Sequence, residues 1–266
     1  MDRADAHGVG VVSVRSATHF GCAGYHAQRA VDRGMIGVVA ANCGRQRIAR
    51  PPDGRLAMLG TNPLAVAAPA GRRPPFVLDM STTVVPTGRV RAAARRGEDI
   101  PPGWLADDNG RPVTDPAAFD RGEAHLRWLG GAAELSGYKG YGLGLAVEIL
   151  AALLPGAGLG PSSAALRGDG RPSGCDEDIG FLVLALAPGA LRPAEEFLGS
   201  AEDMFGALLA CPPNQPDRPN GYPGCREAET IRRNLAEGVP LDPALYAEML
   251  ALSEETGLVL PTVADD

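Results

Sequence analysis

The apolar positions of this chain come in short runs broken by glycine and proline. Residues 8–14, Gly8-Val9-Gly10-Val11-Val12-Ser13-Val14, are β-branched and glycine-punctuated, which predicts a buried strand. From Cys22 the chain is small and helix-compatible up to Gly34. Ser16-Ala17-Thr18-His19-Phe20-Gly21 therefore falls in a strand-to-helix turn. Residues 35–41 read as a second strand, the run after Asn62-Pro63 as a strand or extended segment, and Phe76-Val77-Leu78 as another strand. Residues 179–186 are a strong strand. Residues 143–154 predict a helix that is apolar around its whole circumference, hence a core helix, ended by Pro155-Gly156. Residues 194–209 place Phe197, Ala201, Phe205 and Leu208 on one helical face. Near the end, Asp242 caps a helix that starts at Pro243, turns Leu245, Met249 and Leu252 inward and stops at Gly257. Residues 100–116 are turn-rich and read as a long surface loop, and residues 212–223 as a connector.

Composition narrows the class. The chain has 266 residues, 45% hydrophobic and 21% charged, enough for one large domain or two small ones. Its net charge of -7 argues against a nucleic-acid binder, and the basic run at residues 89–96 reads as a solvated face. Five scattered cysteines, Cys22, Cys43, Cys175, Cys211 and Cys225, form no C-x-x-C pair, so neither a zinc site nor a disulfide framework is expected. The first residues do not read as a signal peptide, and Glu148 interrupts the best candidate for a membrane span. A soluble cytoplasmic protein is the expectation. The counts of 35 glycines and 24 prolines fit many turns between short elements.

Three places carry candidate chemistry. An imidazole at His19, in a strand-to-helix turn, can hold or release a proton near neutral pH, or can be a hydrogen-bonded structural histidine. Asp79 directly follows an apolar strand, beside Ser81, Thr82 and Thr83. It is placed either to accept from ribose hydroxyls or to cap a backbone turn. Lys139 lies in Gly137-Tyr138-Lys139-Gly140-Tyr141-Gly142 at the start of the apolar helix. Free backbone N–H groups attract anions there, although an ordinary glycine-rich turn has the same look. No P-loop spacing is present, and no G-x-G-x-x-G follows a strand, so a Rossmann dinucleotide fold is not expected.

These residues also form an ordered set. Thr18-His19-Phe20-Gly21 with Gly24-Tyr25, Leu59-Gly60-Thr61-Asn62-Pro63-Leu64 and Leu78-Asp79-Met80-Ser81-Thr82 come first. Gly103-Trp104, Thr114-Asp115-Pro116, Tyr138-Lys139-Gly140-Tyr141-Gly142-Leu143 and Tyr222-Pro223-Gly224 come after them. Over nearly its whole length the chain resembles the type 2 malate/L-lactate dehydrogenase family. That resemblance implies an α/β, non-Rossmann NAD(P)-binding fold with a mixed or antiparallel sheet flanked by helices. Residues 1–211 would form the NAD(P)-binding sheet domain, and 212–266 a connector and helical segment packed on it. It implies a homodimer that transfers a hydride between nicotinamide and a small 2-hydroxy/2-oxo acid, or reduces a cyclic imine carboxylate. His19 matches the family's acid/base. Cys43, Asp79, Met80, Ser81, Tyr138, Lys139 and Gly224 match positions that line NAD or NADP, with a looser match at Asp178. Cysteine at position 43 replaces the usual hydroxyl, and Cys225-Arg226 departs from the usual sequence after the proline. Arg45, Arg47 and Arg50 can meet a 2′-phosphate or be solvated. The family's N-terminal segment, with a Ser-His-Gly motif and a carboxylate-binding arginine, lies before the point where this sequence begins, so either the coding start was placed too late or those groups are lost. With a true loss, the alternative is a truncated, inactive homologue that acts as a binding or subunit-interaction protein.

Overall fold

The structure is a computed structural model that describes residues 1–167 and 178–260, so Cys175 lies outside the described residues. In chain order, α1 (Asp2–His7), β1 (Val9–Ala17), α2 (Ala23–Val31), β2 (Ile36–Ala41), β3 (Leu64–Ala68) and β4 (Phe76–Met80) come first. Next are α3 (Thr87–Arg96), β5 (Leu105–Ala106), β6 (Pro112–Val113), α4 (Ala117–Asp120), β7 (His125–Leu126) and α5 (Tyr138–Glu148). After α5, a π-helical stretch runs over Ile149–Leu153. Then come β8 (Ile179–Leu186), α6 (Ala194–Ala210), α7 (Cys225–Glu237) and α8 (Pro243–Thr256).

The main sheet has the order β1-β8-β2-β3-β4, and every neighbouring pair is antiparallel. This is the non-Rossmann α/β architecture expected, in its antiparallel form. The period of two divides the strands between two faces. Val39, Ala65 and Ala67 pack under α2 with Ala23 and Ala27. Ala40 and Leu182 pack under α5 and its extension with Val147 and Ala151. Small side chains bring α2 close: a Cβ on Gly37 would lie 2.1 Å from the carbonyl oxygen of Ala27.

Four local expectations change in three dimensions. β1 is an edge strand with one neighbour, and Val9, Val11 and Val12 are exposed, so it is not buried. The apolar helix is not a core helix all round, because Ile149, Leu150, Leu153 and Leu154 face outward. Residues 100–116 are not a surface loop. They contribute to a three-stranded sheet, β6-β5-β7, whose Leu105 and Leu126 join Val90 and Ile100 in a separate small core. α8 has the predicted ends, with Asp242 accepting from the Ala244 and Leu245 N–H groups and Gly257 left-handed at φ 71. No residue of α8 is buried, however, so Leu245, Met249 and Leu252 do not point into a core of this chain. Amphipathic spacing sets which residues share a face, and only the neighbours decide whether that face is covered. No described helix is long and apolar enough to cross a membrane.

His125, in the small sheet, has its pKa pushed down to about 4, first by burial and then by the Arg50 guanidinium. The fold thus holds it neutral. Its contribution to stability is complete above its ordinary value of 6.5 and is lost as pH falls toward about 4. Urea midpoints should fall across that window, and His125→Phe should flatten the fall. An unchanged pH slope in the variant would assign the effect to other groups.

Candidate active site at one end of the sheet

Strand direction gathers the candidate residues. β1 and β2 both pair antiparallel with β8, so their exits lie where β8 begins, with Ala17 opposite Ile179 and Ala41 opposite Phe181. β3 enters at that same end and β4 leaves there, with Leu64 opposite both Ala40 and Met80. His19, Cys43, Asn62, Asp79, Met80, Ser81 and Asp178 are therefore carried to one end of the sheet.

The turn bearing His19 crosses this end. It leaves β1 at the sheet edge and enters α2, which packs on β2, β3 and β4. Phe20 sets its height, with its ring centroid 4.1 Å from that of Phe181 on β8. The carbonyl of Phe20 lies 3.1 Å from Nε2 of His26 on α2. His19 is exposed, and its Nδ1 accepts from the Gly21 N–H at 3.0 Å. In the neutral ring this leaves the proton on Nε2. Gly21 permits the turn, because its φ is 87.

Asp79 caps the next helix across 55 residues. Its Oδ2 accepts from the Gly24 N–H at 2.7 Å and from the Cys22 thiol at 2.9 Å. Of the two roles open to Asp79, the capping contact is thus present. It uses one oxygen, and Oδ1 makes no hydrogen bond among the described residues. Burial, and then the Asp79 bond, raise the Cys22 pKa, so Cys22 serves as a thiol donor. Gly24 must be small here, because a Cβ would lie 3.0 Å from Oδ2 of Asp79.

The other candidates divide. Met80 closes β4, and the Ser81 hydroxyl donates to the carbonyl of Thr83 at 3.1 Å. Cys43 Sγ lies 3.7 Å from the Thr61 hydroxyl. Tyr138 and Lys139 are the first two residues of α5, and Lys139 is exposed with no ion-pair partner among the described residues. The Tyr138 side chain is likewise open to solvent. The start of α5 is tied to the strand end through Leu129, which accepts from the Gly140 N–H at 3.1 Å and donates to Thr82 at 2.9 Å. Gly224 is not brought to this end. It sits at φ 103 against Pro75 and Val77, where β4 begins.

A buried carboxylate that sequence reading took only for a break in an apolar run holds these loops together. Glu148 is 5% exposed. It accepts from the Gly160 N–H at 2.8 Å, from Asn62 Nδ2 at 2.8 Å and from Asn42 Nδ2 at 3.4 Å. Burial raises its pKa against the pull of these three donors. The available signal was an acid inside an apolar helix, with an asparagine directly after one strand and another shortly before the next.

A cavity of about 420 Å³ lies between α1, α2 and the sheet and touches none of the candidate residues. Another, of about 320 Å³, opens beside the Cys43 turn. There the Nε of Arg47 is buried without an acceptor. Together with the exposed ammonium of Lys139 at a helix start, it is the donor chemistry an anionic dinucleotide requires, so the residues present fit such a cofactor.

Comparison with known proteins places this arrangement. Residues 1–250 match the family described as malate/L-lactate dehydrogenase. The L-sulfolactate dehydrogenase of Methanothermobacter thermautotrophicus is 34% identical over 98% of this chain and 70% of its own length. The malate dehydrogenase of Pyrococcus abyssi is 32% identical over 97% of this chain and 69% of its own. The crystal structure of malate dehydrogenase from Entamoeba histolytica superposes with a TM-score of 0.85 at 30% identity, over 98% of this chain and 72% of that one. The chain belongs to the malate/L-lactate dehydrogenase family.

Proposed function

We propose that this chain binds NAD or NADP across the strand ends and interconverts a small 2-hydroxy acid and its 2-oxo acid, with cyclic imine carboxylates as a related substrate class. The observation that carries this reading is His19 on an exposed turn beside the Asp79-capped start of α2, in a chain of this family. When bound, the nicotinamide supplies or takes up the hydride. His19 presents Nε2–H to the substrate oxygen or nitrogen and polarises it. Full proton transfer draws on the imidazolium, in which Nδ1–H takes the place of the Gly21 contact, and the exposed turn leaves the ring room to rotate. Asp79, Met80 and Ser81 would line the cofactor at the exit of β4, with Cys43 at the exit of β2. Lys139 and Tyr138 would meet it from the start of α5.

We also take the protein to be a cytoplasmic homodimer whose sheet domain spans residues 1–211. The segment 212–266 would complete its packing, with the uncovered leucines of α8 on the dimer side. Sedimentation at micromolar concentration checks the dimer.

The function is tested by following NADH and NADPH oxidation with oxaloacetate, pyruvate and a cyclic imine acid. Turnover of at least one acid supports the proposal. Dinucleotide binding without turnover of any would leave a binding protein. Lys139→Ala is expected to weaken dinucleotide binding about tenfold in a fluorescence titration, the scale of one charge-assisted contact. Unchanged binding would remove Lys139 from the site.

A further inference from the structure

The loop that leaves β2 carries Arg45 and Arg47 beside Cys43, closed by the Gln46 N–H donating to the Cys43 carbonyl at 3.1 Å. Both arginines line the cavity of about 320 Å³, together with Gly156, Gly158, Ser162 and Asp178. The Nε of Arg47 is buried with no hydrogen-bond partner. A guanidinium N–H withdrawn from water and left without an acceptor is disfavoured, and an anion entering the cavity would supply the acceptor. Asp178, the carboxylate lining the cavity, is already engaged. It accepts from the Ser16 N–H at 2.9 Å and pairs with Arg45 at 3.4 Å. Nη1 of Arg15 lies 3.6 Å from where a Cβ on Gly156 would sit, next to the cavity but not in its lining. Among the described lining residues two guanidinium groups meet one carboxylate, so the balance of charge favours an anion. The Ser16–Asp178 bond fixes the cavity to the same turn that carries His19, at the strand ends assigned to the dinucleotide.

We infer that this cavity receives a phosphate monoester dianion, the 2′-phosphate of NADP, and that Arg47 is the residue that reads it. The inference rests on the dinucleotide reading proposed for this site. Arginine suits the role because its planar fork meets two phosphate oxygens at once, and a 2′-hydroxyl offers no such charge. Ser162, whose oxygen accepts from the Ala165 N–H at 3.2 Å, keeps its hydroxyl proton for the same ligand.

The test is a fluorescence titration of the full chain with NADPH and NADH, with 2′-AMP, 5′-AMP and inorganic phosphate as competitors. The expected result is NADPH binding at least about tenfold tighter than NADH, the scale of one charge-assisted contact, and 2′-AMP competing better than 5′-AMP or phosphate. Arg47→Leu should remove most of the NADPH advantage by weakening NADPH far more than NADH, while Arg47→Lys keeps part of it. If Arg47→Leu fails to fold by circular dichroism, the wild-type ratio and Arg47→Lys decide. Equal binding of the two dinucleotides, or an equal loss of both in Arg47→Leu, overturns the inference and leaves the cofactor reading standing. Competition by inorganic phosphate as strong as by 2′-AMP would make this a free-anion site and overturns it too. Binding of neither dinucleotide overturns the cofactor reading and the inference with it.

Discussion

Replacing His19 with alanine is expected to lower kcat by a factor on the order of 10²–10⁴, the range for loss of a general acid or base. Dinucleotide binding should barely change. The two effects separate because His19 projects from the crossing turn, whereas the groups proposed for the cofactor belong to the exits of β2 and β4 and the start of α5. The fold should tolerate the change. His19 is exposed, and its one hydrogen bond, from the Gly21 N–H, can be replaced by water. The assay is NADH or NADPH oxidation with the best oxo or imine acid, alongside a binding titration. His19→Asn is the informative companion, since it keeps a polar group but has no imidazole to move a proton. A kcat in His19→Asn as low as in His19→Ala would assign the loss to proton transfer. Near-normal kcat in His19→Ala would remove His19 from the chemistry.

Removing the Glu148 side chain is expected to be the most destabilising single change among the polar residues. Glu148→Ala leaves the Gly160 N–H without its acceptor, takes one of two acceptors from each of Asn62 Nδ2 and Asn42 Nδ2, which keep the Gly144 and Gly158 carbonyls, and opens a void between α5 and the loop at Gly160. Each unsatisfied buried donor costs about 1–3 kcal/mol. Together these losses reach several kcal/mol, a large share of a typical total stability of about 5–15 kcal/mol. Glu148→Gln fills the space but turns an amide N–H toward donors, so a loss of about 1–3 kcal/mol is expected. Tm and urea midpoints give the values. A shift below the resolution of those measurements would mean that the donors find other acceptors.

The pH dependence at Glu148 runs opposite to that of His125. The folded pKa of Glu148 is raised above its ordinary 4.5 by burial. Between the two values the folded chain binds more protons than the unfolded one. Glu148 therefore contributes most below pH 4.5, and stability falls as pH rises through the raised value. Glu148→Gln should remove that falling limb and leave the acid-side limb of His125 in place.

Local signals in the sequence were sufficient for the elements and for picking out several candidate residues. The short apolar runs became β1, β2, β4 and β8, and the Asp242 cap and Gly257 stop gave α8 both of its ends. These depend on interactions within a few residues, such as side-chain alternation, capping bonds and left-handed glycines, and so can be read along the chain. The motif order was likewise enough to place the family. Burial could not be read in this way. β1 and α8 carry the same apolar spacing as covered elements, yet β1 is an edge strand and α8 buries none of its residues. The site was legible only as a set of separate residues. Antiparallel pairing of β1 and β2 with β8 decided that His19, Cys43 and Asp178 share one sheet end. The pairing of β3 with β2 and β4 decided that Asp79 joins them while Gly224 stays at the other. Glu148, Asn42 and Asn62 gained their role only when residues far apart in sequence came within hydrogen-bond distance. A single sequence fixes local propensity, whereas register and layer packing arise from long-range contacts that exist only in the folded chain.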